Sequence, residues 1–193
     1  MIITHDGFAV NGIDVAKYQG QITTPPVCPN WLSFFAYKAT DTKKLADGMV
    51  DPQFVNNRVA GNKLDVRWRP IYMYLRNPAE WGSIDEQFAV YCQTVGPLRD
   101  GECVMVDWEE TEVRIDDIHH LEKLINVTYG RTRWCMYVND INADMRRWLE
   151  ENLASPVQIP VIHPNYSASG FAEAERWLAI AAEPLPDGRA VVT

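Results

Sequence analysis

Short apolar runs alternate with longer amphipathic stretches along this chain, and that alternation limits the fold more than any other feature. Residues 8–15, 34–39, 70–75, 103–107, 133–138 and 159–162 have the length and composition of strands. Between them the spacing predicts helices over 52–63, 84–95, 115–128, 142–153 and 170–182. In the second helix Ile84, Phe88, Tyr91, Cys92 and Val95 share one face, the pattern of a helix packed on a core. Asp51-Pro52 offers an N-cap and a proline at the first helical position. Strands separated by helices pair in parallel through right-handed crossovers, so the expected class is α/β. No repeat, linker or low-complexity segment interrupts the pattern, which predicts one domain over residues 1–193. The segment 21–30, with Pro25, Pro26 and Pro29, reads as an irregular loop.

Composition narrows the function. A net charge of −8 argues against nucleic acid, whose phosphates are gripped by basic surface. No apolar run approaches the roughly 18 residues of a membrane span. The opening MIITHDGFAV lacks a basic region followed by an apolar stretch, so no signal peptide is expected. Cys28, Cys92, Cys103 and Cys135 show no metal-type spacing and are expected to be reduced thiols. The four histidines offer no ligand pattern, so neither a metal nor a cofactor is expected.

Such a chain forms either an open doubly wound sheet or a β/α barrel. The open nucleotide-binding sheet wants a glycine-rich turn after its first strand. Here the first strand ends Gly12-Ile13-Asp14-Val15-Ala16-Lys17-Tyr18-Gln19-Gly20, without G-x-G-x-x-G or a P-loop. It carries an acid, Asp14, at its carboxyl end, where barrels place their sites. Tyr72 and Tyr74 end the third predicted strand, and Tyr137 ends the fifth. The fourth runs Val104-Met105-Val106-Asp107-Trp108-Glu109. Residues two apart in a strand point to the same side, about 6.6 Å from each other. Asp107 and Glu109 would therefore stand together, with Trp108 turned away. Glycoside cleavage needs two such acids, one protonated and one charged. The plainer reading is a strand running into an acidic loop, since Glu110 and Glu112 follow at once, and replacing either of these by glutamine should change little. The expected architecture is a single-domain, irregular TIM-like β/α barrel with its site at the carboxyl ends of the strands.

These residues resemble glycoside hydrolase family 25, the lysozymes first known from fungi and phages. GIDVAKYQG is similar to the family's opening motif, with Ala16 in place of a serine. YKATD (Tyr37 to Asp41), the stretch from Val50 to Asn57, PIYMY, VDWE and Met136-Tyr137-Val138-Asn139 follow in the family's order. The likeness extends more weakly to Tyr166. It implies an N-acetylmuramidase that needs no cofactor and acts on bacterial peptidoglycan. Glu109 would be the general acid and later the base, and Asp107 would orient the substrate's own N-acetyl group as it attacks the anomeric carbon. Asp14 would hold their hydrogen-bond network. Tyr72 and Tyr137 would line the sugar site, with Tyr74 and Tyr166 as further substrate-binding candidates.

The family barrel ends in a Trp-Gln-Tyr-like strand and a last aspartate, whereas this chain offers LPDGRAVVT. Residues 190–193 are expected to begin a closing strand beside the first or seventh strand, covered by further polypeptide or a neighbouring chain. A family 18 chitinase-like hydrolase is the rival enzyme, but its strand motif wants an aspartate where Met105 stands. The rival of another class is an inactive, lysozyme-like glycan-binding domain of a phage tail. Phage origin is expected in either case, with residence in the host cytoplasm before lysis or in the virion tail.

Overall fold

The computed structural model describes residues 2–5, 8–22, 32–41, 50–138 and 142–162. Among the described residues there are seven strands: β1 (Ile2–His5), β2 (Phe8–Val15), β3 (Leu32–Asp41), β4 (Arg69–Tyr74), β5 (Glu102–Trp108), β6 (Trp134–Val138) and β7 (Val161–Ile162). Five helices join them: α1 (Phe54–Gly61), α2 (Pro78–Trp81), α3 (Ile84–Val95), α4 (Ile115–Thr128) and α5 (Ala143–Ala154). Sheet order follows chain order, β1 to β7. β1 is antiparallel to β2, and β2 to β7 run parallel, as strands separated by helices must. No described helix is long and apolar enough to cross a membrane.

The class is α/β with a parallel sheet, as the expected irregular TIM-like barrel requires, but the sheet is not closed among the described residues. The sheet order begins at β1 and ends at β7, with no pairing between these two among the described residues. β1, unforeseen from the sequence, pairs with β2 from Ile2↔Asn11 to His5↔Phe8 and fills the edge where a closing strand beside the first predicted strand was expected. The predicted helix 170–182 and the closing strand 190–193 lie outside the described residues.

Contacts divide the chain into two compact units. The first comprises Met1–Lys38, Asp51–Ile71 and Asn165–Thr193, and the second Ala39–Val50 and Tyr72–Pro164. In the first, β2 and β3 pair with a register shift at Asn11/Gly12, which sets Gly12 opposite Phe34. A Cβ at Gly12 would lie 2.1 Å from the Phe34 ring, so only glycine fits. Ile13, Val15, Phe35 and Tyr37 are buried, with the Tyr37 ring 6.2 Å from Phe54 of α1. The turn after β2 (Lys17–Gln19) is 3-10, and the buried Gln19 side chain accepts from Ala16 N at 2.7 Å.

Asp51 is not the expected N-cap, a position that Gln53 takes. The Asp51 carboxylate accepts from Lys17 N (2.9 Å) and Gln53 N (2.8 Å), clasping two chain segments together. Helix α1 consequently starts at Phe54 rather than Pro52. Burial is the largest influence on this carboxyl and raises it above its usual range. The two N–H bonds and the charges of Lys38 and Lys17 pull the other way.

In the second unit each helix begins with a side chain that satisfies open N–H groups. Ser83 and Glu86 form a capping box at α3. Asn142 accepts from Met145 N at α5, and Asp117 accepts from Arg114 N at α4. The helices bury Phe88, Tyr91, Ile118, Leu121, Ile125 and Trp148, while Trp134 of β6 packs 6.5 Å from Trp148. The buried Asn152 side chain bonds both the N–H and the carbonyl of Ile159, turning the chain from α5 towards β7.

Candidate active site

Strand β5 is buried along its whole length, and its two faces differ in chemistry. Val104, Val106 and Trp108 form the apolar face, and Trp108 Nε1 donates to Val113 O at 3.1 Å. The other face carries Cys103, Met105 and Asp107, the last only 9% exposed. Pairing of β5 with β6 sets Asp107 beside Tyr137, on the same face. Leu75 N donates to Asp107 O at 3.0 Å, which in a parallel ladder places Tyr74 of β4 beside Asp107. Tyr72 stands one pleat earlier, so Tyr72, Tyr74, Asp107 and Tyr137 line one face at the carboxyl ends of three neighbouring strands. Glu109 follows directly after β5 and is half-buried.

Both carboxylates act on Tyr74 electrostatically. Burial raises its hydroxyl well above the usual phenol range, and the charges of Glu109 and then Asp107 raise it further. The Tyr74 hydroxyl therefore keeps its proton and is available as a hydrogen-bond donor.

The expectation for Glu110 is corrected. Glu110 accepts from Arg76 Nη1 at 2.7 Å and from Asn77 N at 2.5 Å, with its side chain only 19% exposed. It is a partner in an ion-pair network, because the chain after β4 returns close enough to supply a cation. Arg76 also reaches Asp41, at the end of β3, with Nη2 at 2.7 Å, and its guanidinium lies 4.3 Å from the Tyr74 ring centre. Sequence reasoning missed Arg76, since a lone arginine after a strand resembles ordinary surface. Glu112 is exposed, as expected.

Asp14 belongs to the first unit, where it sits opposite Ala36 near the end of β2. Lys38, two residues further along β3, points to that same face and is only 9% exposed. A lysine so buried is a second candidate that the YKATD stretch contained and that was not singled out. Tyr166 lies outside the described residues. Cys92, Cys103 and Cys135 are free thiols, as expected, and Cys28 lies outside the described residues. The Cys135 thiol is pushed well up by its hydrogen bond with Cys103 and by burial, which suits inert packing beneath the acids. Among the described residues no group of three His, Cys, Asp or Glu side chains is arranged to hold a metal ion.

No protein-family model and no curated protein matches the sequence. Solved structures do. A muramidase from Trichobolus zukalii matches with a TM-score of 0.57 at 18% identity, over 83% of this chain and 79% of that one. A muramidase from Acremonium alcalophilum matches with a TM-score of 0.58 at 13% identity, over 95% of this chain and 85% of that one. The chain shares the fold of these muramidases.

Proposed function

We propose that this chain is a peptidoglycan hydrolase of one domain, a muramidase that cleaves the β-1,4 bond between N-acetylmuramic acid and N-acetylglucosamine. The observation that carries the proposal is the strand face that brings Tyr72, Tyr74, Asp107 and Tyr137 together, with Glu109 directly after β5. The fold shared with two muramidases supports it, and so do the ordered motifs of the sequence.

Glu109 protonates the leaving glycosidic oxygen as that bond breaks. The carbonyl oxygen of the substrate's own N-acetyl group attacks the anomeric carbon, and buried Asp107 orients that group and balances its developing positive charge. Water then opens the cyclic intermediate after giving its proton to Glu109, which restores the acid. Tyr72 and Tyr137 present flat apolar surface to the sugar, and the Tyr74 hydroxyl donates to it. The roles of Asp14, in the hydrogen-bond network, and of Tyr166, at the substrate, rest on the sequence motifs alone. Phage origin and service as an endolysin or tail protein rest on the sequence too, and recovery of the chain from purified virions tests the tail assignment.

Turbidity of purified bacterial cell walls tests the proposal. The native chain should clear them, while Glu109→Gln should be slower by about 10²–10⁴-fold, because the amide cannot donate the proton. A Glu109→Gln variant that clears walls normally would remove Glu109 from the role. A native chain that binds walls without clearing them would favour the glycan-binding domain instead.

A further inference from the structure

Glu109 occupies a demanding place for a proton donor, since it stands just beyond the end of β5. Catalytic groups on loops are held less precisely than those on strands unless their neighbours are locked. Here both neighbours are. Trp108 is fully buried and tied to Val113. Glu110 is held at both carboxylate oxygens, one by Arg76 and the other by Asn77 N.

Arg76 is itself fixed at several points. The buried Gln87 side chain accepts from Arg76 N at 3.1 Å and donates to Arg76 O at 3.0 Å. Its guanidinium Nε and Nη2 meet the same Asp41 oxygen at 2.9 and 2.7 Å, while Nη1 takes Glu110. The planar fork that does this cannot be copied by an ammonium group. The same guanidinium lies over the Tyr74 ring, whose hydroxyl senses both site acids. One cation thus ties the ends of β3 and β4 to the residue that follows Glu109.

We propose that Arg76 is a positioning residue for Glu109. By clamping Glu110 and Asp41 across the Tyr74 ring, it fixes the direction in which Glu109 leaves the end of β5. This inference rests on the muramidase reading for its kinetic consequence but not for its structural one. Misplacing a reacting group by about 1 Å can cost on the order of 10²-fold in rate. Loss of Arg76 should therefore lower kcat and leave KM nearly unchanged, since the sugar-facing tyrosines stay in place.

The test compares the native chain with Arg76→Gln and Arg76→Lys in two measurements. One is kcat and KM on solubilised wall glycan, and the other is backbone hydrogen exchange over residues 107–112. Arg76→Gln should lose at least tenfold in kcat, keep KM within about twofold and exchange faster over 107–112. Arg76→Lys restores the charge but not the fork, so it should recover only part of kcat. A native kcat in folded Arg76→Gln would overturn the proposal. If that variant fails to fold, Arg76→Lys decides: reduced kcat at native KM supports the clamp, and native kcat overturns it. If the native chain cleaves no wall glycan, the muramidase reading fails, and hydrogen exchange alone still judges the clamp, which falls if exchange over 107–112 is unchanged.

Discussion

Motif residues in the two units have different duties. In the first unit, Gly12 makes room for the Phe34 ring, Gln19 closes the 3-10 turn and Asp51 clasps Lys17 to Gln53. Each has a local folding task that its residue type explains. In the second unit, Asp107 is buried on the face it shares with Tyr74, whose hydroxyl is raised by burial and by the charges of Glu109 and Asp107. A buried carboxylate works against stability, and under the proposed function its task is chemical. Substitutions should therefore separate the two sets, with stability lost in one and activity in the other.

The largest separation is expected at Asp107. Asp107→Asn should slow wall hydrolysis by about 10²-fold or more, since the amide cannot balance the positive charge that develops on the attacking N-acetyl group. Its thermal midpoint should hold or rise, because a neutral group is cheaper to bury. Kinetics and a melting curve on one sample check both. Activity lost only in step with unfolding would move Asp107 into the folding set.

Gly12→Ala should do the reverse. Its new methyl group meets the Phe34 ring, and overpacking of that kind costs about 1–3 kcal/mol. Urea unfolding should show the loss, while the folded fraction should clear walls at the native rate per molecule.

Asp51→Asn should cost about 1–2 kcal/mol, because an amide offers one acceptor oxygen to two backbone donors. It also has a pH signature. The folded chain holds a proton on Asp51 in the window between the usual 3.8 and the raised value, and the unfolded chain has released it there. This group's contribution to stability is therefore greatest below that window and falls as pH rises through it. Asp51→Asn should flatten that part of the stability profile, and a native slope in the variant would put its origin elsewhere.

Elements with a complete local signal were legible in the sequence. Ile84–Val95 and Ile115–Thr128 form where the spacing puts them, because an apolar face and a first-turn acid agree at each. Phe8–Val15 is likewise a strand as expected. β1 was missed because four residues make a weak strand signal. α2 was missed because a single turn opened by Asn77 and Pro78 looks like loop. Asp107 could be read as a strand-end acid from its own run, whereas β5 stops at Trp108 and leaves Glu109 just outside the strand in which the spacing had placed it. The Arg76 clamp could not be read from the sequence, since Asp41 and Glu110 lie 35 and 34 positions away and only the pairing of strands brings them near.

The most direct test is the chemistry of the product ends. Purified peptidoglycan digested with the native chain and then reduced with borohydride should yield muramitol as the new sugar alcohol, since the bond cleaved follows the anomeric carbon of N-acetylmuramic acid. Glucosaminitol in its place would make the chain a glucosaminidase and contradict the account, and so would the absence of any new reducing end.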